Sequence, residues 1–166
     1  QRFQYFHFCL SIKAVTLTQT TDYPWDGTVT FGVKPEASVT FTLKLRIPSW
    51  CERFSLTING KRWFVKPERG YIAVERCWEP GDKVVLDMDM PVDRVYAHPL
   101  VGANRGRVAL QRGPIIYCVE GVDNDNPIDL ISLPRAAQLV GEYDADLLDG
   151  VVMVTAAALR AQGGET

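Results

Sequence analysis

SVTFTLKLRI, residues 38–47, alternates without a miss. Val39, Phe41, Leu43, Leu45 and Ile47 stand on one side; Thr40, Thr42, Lys44 and Arg46 stand on the other. Successive side chains of a β-strand point to opposite faces, so this run reads as a strand with one face in a core and one in water. Its neighbours keep the same period. TVTFGV presents Val29, Phe31 and Val33, and FSLTIN presents Phe54, Leu56 and Ile58. KVVLDMDM presents Val84, Leu86 and Met88, while VTLTQTT sets Val15 and Leu17 against threonines.

Turn residues separate these runs. Asp26-Gly27 precedes one strand, Asn59-Gly60 joins FSLTI to KRWFV, and Pro80-Gly81-Asp82 divides YIAVERCW from KVVLDMDM. Asp149-Gly150 precedes VVMVTAA. Asn-Gly between two alternating runs is the strongest short hairpin signal, because its turn needs two residues with positive φ. Strands at this spacing predict an all-β antiparallel sandwich, jelly-roll-like. Helical signal is confined to LISLPRAAQLV, where Pro134 cuts it to a turn or two. Residues 15–95 read as the sandwich. Residues 96–166 hold further strands that either close it or begin a second, truncated one; the break falls within residues 91–105. AQGGET reads as a frayed end.

Composition sets outer limits. The chain has 166 residues, 46% hydrophobic and 23% charged, with a net charge of −2. That supports a real core, and the scattered Lys and Arg argue against a nucleic-acid footprint. No apolar run approaches the ~18 residues of a membrane span. FHFCLSIKAV is too short and is broken by Lys13, so it does not read as a signal peptide. Gln1 in place of Met suggests a start inside a longer protein, and nothing fixes the compartment. Cys9, Cys51, Cys77 and Cys118 form no C-x-x-C pair, so structural zinc is not expected. Buried free thiols are the expectation; two disulfides stay open.

LQRGPIIYCVEGVDN, residues 110–124, looks at first like the contents of an active site. As a strand over residues 115–120, it would send Tyr117 and Cys118 to opposite faces. Cys118 and Glu120 would share a face about 7 Å apart on strand spacing. No neighbour there lowers a thiol pKa, so the stretch reads as a bend or bulge at Arg112-Gly113-Pro114, a core strand and a loop. Asp87 and Asp89 share a strand face, as paired carboxylates of glycoside hydrolysis could; the wet side of an amphipathic strand explains them with no site at all. Glu68, Glu75 and Glu120 are scattered. The loop DNDNPID could offer oxygens to calcium, but it fails the EF-hand spacing. His7 and His98 lie too far apart in sequence to argue for a metal pair. GANRGR lacks the strand-to-helix context of a phosphate loop.

Tryptophans are the remaining candidates. Trp25, Trp50, Trp63 and Trp78 all fall at strand ends or turns. Such rings can form a platform for sugars, and Trp25 and Trp78 are the candidates for it. Alternatively they plug the ends of the sandwich. Trp25 and Trp50 are also the candidates for an interface with a neighbouring domain.

DYPWDGTVTF, LRIPSWC, ING, GYIAVERCWEPGD, MPVDRVYAHPLV and GRVALQRGPIIYCVEGVDN occur here in one order. In order and spacing this series resembles the region after the catalytic domain in glycoside hydrolase family 127, the β-L-arabinofuranosidase group. The likeness spans about residues 15–155. It implies an (α/α)₆ barrel upstream, where a zinc-held cysteine is nucleophile and a glutamate is acid/base. This chain has no adjacent cysteine pair, so no catalytic or zinc residue carries over, and Cys118 does not match the nucleophile. The expectation is therefore a non-catalytic chain without a cofactor of its own, with zinc in the absent barrel. Its implied partners are that barrel and a second copy in a homodimer; a glycan is the partner on the tryptophan-platform reading, and neither nucleic acid nor membrane is expected. Two departures stand out: residues 1–14 are atypical, and the family's final strands are missing. A sandwich lacking strands exposes an edge.

Overall fold

The computed structural model describes residues 2–10, 13–124 and 127–161. They fall into two compact units, Gln1–Met90 and Pro91–Thr166. The first contains β1 (Arg2–Leu10), β2 (Lys13–Thr21), β3 (Thr28–Pro35), β4 (Val39–Arg46), β5 (Phe54–Ile58), β6 (Lys61–Arg62), β7 (Tyr71–Trp78) and β8 (Asp82–Met88). Six of these make one antiparallel sheet in the order β1-β2-β3-β8-β5-β6, and β4 pairs with β7 in a second.

Alternation explains the arrangement. On β4, Leu43 and Leu45 are buried; on β7, Ile72, Val74 and Trp78; on β3, Val29, Phe31 and Val33. Leu56 and Ile58 of β5 join Val84, Leu86 and Met88 of β8 in the same apolar cluster. Each sheet turns one face inward, and the two faces make a common core, as in a sandwich. The chain leaves one sheet for the other at 36–38, 47–53, 63–70 and 79–81. At Asn59 and Gly60 the φ values are 51° and 77°. Two positive values are what a two-residue hairpin of this kind requires, so Asn59-Gly60 joins β5 to β6 as its sequence suggests.

The second unit holds β9 (Val92–Val95), β10 (Ala109–Arg112), β11 (Ile115–Tyr117), β12 (Ile131–Ser132), β13 (Leu139–Asp144), β14 (Val151–Ala156) and β15 (Leu159–Arg160). They form three small antiparallel sheets: β11-β10-β9, β13-β14 and β12-β15. Short 3₁₀ turns occupy Gly102–Asn104 and Ile128–Leu130. After Leu130, which ends the second of these turns, LISLPRAAQLV holds no helix: it runs through β12, a turn closed by Ala137 N–H to Pro134 C=O, and into β13. Pro134 has no N–H to give a helix.

LQRGPIIYCVEGVDN also differs from its sequence reading. Arg112 pairs with Ile115, so Gly113-Pro114 is the two-residue turn of a hairpin rather than a bulge. Gly113 takes φ 56°, a value glycine reaches without cost. The strand then stops at Tyr117, because the chain turns back at residues 120–124. There the Asp123 N–H and the Asn124 side-chain amide both donate to the Glu120 carbonyl. Cys118 and Glu120 are therefore loop residues, not partners on one strand face.

Candidate functional site

At one end of the first unit, the 22–27 and 48–53 loops meet. The neck of the first is closed by the Thr21 hydroxyl, which donates to the Thr28 carbonyl at 2.8 Å. Asp26 Oδ1 takes the Thr28 N–H at 2.6 Å. Gly27 is needed where the loop rejoins the sheet: a Cβ there would lie 1.9 Å from the Met88 carbonyl oxygen. The second loop turns on the Cys51 N–H to Pro48 C=O bond. Tyr23 and Trp50 stack across the two loops, with ring centroids 6.4 Å apart and planes 23° apart. Both rings, and Trp25 beside Tyr23 in the chain, are half-buried. The result is an aromatic end that can grip an apolar surface.

Trp78 is different. It is fully buried at 0% exposure. Its indole N–H donates to the Phe41 carbonyl at 3.0 Å. The Phe41 ring stacks 5.6 Å away, and the Arg76 guanidinium lies 5.2 Å from the Trp78 ring. No face is left for a sugar, so the carbohydrate role expected for Trp78 is corrected to that of a core plug. The reason is register: Trp78 pairs with Val39 on the inward side of β4 and β7. Trp63 is partly exposed beyond β6, next to Phe64, over which the Arg62 side chain lies.

Beside Trp78 sits a polar clasp. Asp82 is buried and accepts from the Asn59 amide at 2.7 Å and from the Glu79 N–H at 2.9 Å. Arg76 stands 3.6 Å away. Burial pushes the Asp82 carboxyl up, but these donors and the Arg76 charge outweigh it and hold the carboxyl below its ordinary value. The clasp ties the β7–β8 turn to the Asn59-Gly60 hairpin.

The carboxylates of Asp87 and Asp89 are engaged at the surface. Asp87 takes the Thr28 hydroxyl at 3.3 Å, and Asp89 pairs with Arg53 at 2.5 Å. Cys51 is buried, while Cys77 and Cys118 are exposed, so the expectation of buried thiols holds at Cys51 and not at these two. All three are unpaired. Burial raises the Cys51 thiol pKa, the opposite of what a nucleophile needs. Asp125 and Asn126 of the acidic loop lie outside the described residues, as do the side chains of His7 and Cys9. Among the described residues no three of His, Cys, Asp and Glu gather to hold a metal. No helix there is long and apolar enough to cross a membrane.

In the second unit, cross-strand pairing sets Arg94, Leu110 and Tyr117 in one row and Val92, Arg112 and Ile115 in the next. Strand pleating puts both rows on one face. Arg94 donates to the Pro134 and Ala137 carbonyls at 3.3 and 2.6 Å. Arg112 passes under Gly141 of β13, where a Cβ would meet its Cδ at 3.3 Å. Burial pushes the Tyr117 phenol up, with Arg112 opposing. This unit also holds a cavity of about 290 Å³ walled by Tyr96, His98, Asn104, Arg105 and Arg107 among others. In the sequence that stretch is only a Gly- and Asn-containing loop; its signal is three basic residues over 96–107 with no Asp or Glu.

Comparison with known proteins adds to this geometry. The family description "Beta-L-arabinofuranosidase, GH127 middle domain" matches residues 3–90, and "Glycoside hydrolase family 127 C-terminal domain" matches residues 92–158. A non-reducing end β-L-arabinofuranosidase of Bifidobacterium longum subsp. longum is 36% identical over an alignment of 164 positions that covers 92% of this chain and 24% of that protein. The crystal structure of a GH127 β-L-arabinofuranosidase from Geobacillus stearothermophilus T6 superposes with a TM-score of 0.92 at 45% identity. It covers 96% of this chain and 25% of that one. A further GH127 β-arabinofuranosidase structure aligns with a TM-score of 0.87 at 30% identity, over 95% of this chain and 27% of its own. The chain thus spans about a quarter of the length of these relatives.

Proposed function

This chain belongs to glycoside hydrolase family 127, and on that premise we propose that it is the non-catalytic β-sandwich portion of a longer hydrolase. It braces an (α/α)₆ barrel that removes terminal β-L-arabinofuranosyl groups from plant-type glycans. One observation carries this reading: the chain matches the family's middle and C-terminal domains and only a quarter of its relatives' length. The aromatic end formed by Tyr23, Trp25 and Trp50 is the face assigned to the barrel. Half-buried rings on short, tightly tied loops suit a domain interface, because they lose little entropy on docking.

Zinc belongs, on this reading, to the barrel. The described residues of this chain do not fit it: Cys51 is buried with its thiol turned to the Arg53 carbonyl, and no ligand cluster forms around Cys77 or Cys118. Association of two copies is a further part of the proposal. Both outer edges of the β4-β7 sheet are unpaired among the described strands, which supports edge-to-edge contact.

The test is a pair of variants in the full-length parent. Trp25→Ala with Trp50→Ala should lower its melting temperature and its activity on a nitrophenyl β-L-arabinofuranoside together. Removing this chain entirely and finding the barrel equally stable and active would sink the bracing role. The other reading, a glycan-binding module, keeps Trp25 as its platform and loses Trp78 to the core. A saturable change in tryptophan fluorescence on glycan addition, abolished by Trp25→Ala, would favour it.

A further inference from the structure

The 96–107 loop has a feature that bracing does not use. The polar side chains lining its cavity, those of Tyr96, His98, Asn104, Arg105 and Arg107, can all donate hydrogen bonds; Ala97, Pro99, Val101 and Gly106 complete the wall. Arg105 and Arg107 contribute two guanidinium groups, and Asn104 contributes an amide. His98 Nδ1 accepts the Leu100 N–H at 3.3 Å, which leaves Nε2 to carry its proton and donate. Tyr96 adds a hydroxyl and a ring 57% exposed. No acidic residue is among the lining groups, and among the described residues neither Arg105 nor Arg107 makes an ion pair.

The loop is shaped by its own backbone. The N–H groups of Val101, Asn104, Arg105 and Arg107 donate to the carbonyls of His98, Val101, Gly102 and Asn104. This curls the segment around the Gly102–Asn104 turn. Gly106 takes φ 77° with open space where a Cβ would be, so the wall between the two arginines stays unobstructed. Two arginines with one residue between them, in a chain of net charge −2, make a local field opposite in sign to the whole.

From this wall we infer that the loop is a subsite for a carboxylate-bearing sugar, a uronic acid residue of an acidic glycan. Guanidinium groups match a carboxylate with two parallel hydrogen bonds, and the open Tyr96 ring offers an apolar face for a pyranose. The carboxylate preference stands on the wall alone. The choice of a sugar as its carrier rests on membership of a glycoside hydrolase family. The carboxylate would be held here and not cleaved here, so the subsite biases which glycans dwell on the protein.

The experiment is an amide NMR titration of this full chain with trigalacturonate, its methyl ester, acetate and inorganic phosphate. Saturable shifts from trigalacturonate centred on residues 96–107 are expected, and the methyl ester should give none. R105A with R107A should weaken binding at least tenfold, while its urea midpoint stays where it was, since both side chains are exposed. Equal binding of the ester would overturn the carboxylate assignment. Acetate or phosphate binding as tightly as trigalacturonate would overturn the sugar assignment. Shifts elsewhere, or no saturation, would remove the subsite. None of these outcomes depends on whether the chain braces a barrel.

Discussion

The two units are built from similar strands and end in different interiors. In the first, alternating apolar residues from two sheets meet in one cluster that includes Trp78, Leu56, Ile72 and Val84. In the second, Val152 is the one apolar residue buried to the same degree among those described. Ile116, Tyr143 and Leu148 of that unit stand 58%, 61% and 81% exposed. Its inward sheet face carries Arg94 and Arg112, and the Arg94 Nε and Tyr117 Oη are buried without a hydrogen-bond partner among the described groups. Apolar alternation alone does not make a core; a second sheet must bring a matching face to cover it. The first unit has that sheet, while the second meets small two- and three-stranded pieces.

The contrast should break most sharply at Trp78. Trp78→Ala removes a buried ring and the indole N–H bond to the Phe41 carbonyl, and should cost about 3–5 kcal/mol in the first unit. Every tryptophan lies in that unit, so urea unfolding followed by fluorescence reads it directly. An unchanged midpoint would show that the core does not depend on its largest member. Next comes the clasp. Asp82→Ala strands the Asn59 amide and the Glu79 N–H, at about 2–3 kcal/mol. Because the folded carboxyl titrates below its ordinary 3.8, Asp82 stabilises fully above that pH. Its contribution fades as pH falls through the lower folded value. Asp82→Asn should flatten that acid limb; an identical slope would place the acid sensitivity elsewhere. Smallest is Ile116→Ser in the second unit, expected within about 0.5 kcal/mol because the side chain already faces water. Hydrogen exchange at the β10–β11 hairpin would show it. A loss as large as that at Trp78 would mean a partner covers this face in solution.

Much of the first unit was legible because its signals are local. SVTFTLKLRI states its own faces, and Asn59-Gly60 states its own turn. Which strands share a sheet was not legible. Nothing near Pro80-Gly81-Asp82 says that β7 and β8 belong to different sheets, yet that crossing sets Trp78 inward and removes it from the surface. Likewise, Cys118 leaves its strand where the chain turns back onto the Glu120 carbonyl, a turn held by the Asp123 N–H and the Asn124 side chain several residues downstream. The 96–107 cavity went unread for a similar reason. Its side chains converge only once the Gly102–Asn104 turn has curled the loop.

The position of β8 in the six-stranded sheet has a consequence for how the chain assembles. Last of that sheet's strands to be synthesised, it occupies the middle, between β3 and β5. Until residue 88 is available, the sheet exists as two separate pieces, β1-β2-β3 and the β5–β6 hairpin. Neither half has its neighbour, and the ends to be joined are far apart along the chain. Folding is then governed by long-range closure rather than by the local hairpins, which makes it slow for a protein of this size. On the ribosome the open flanks of β3 and β5 stay available to other chains until that strand arrives. The early half of the molecule is therefore exposed to misassembly during the very interval in which its own alternation is already complete.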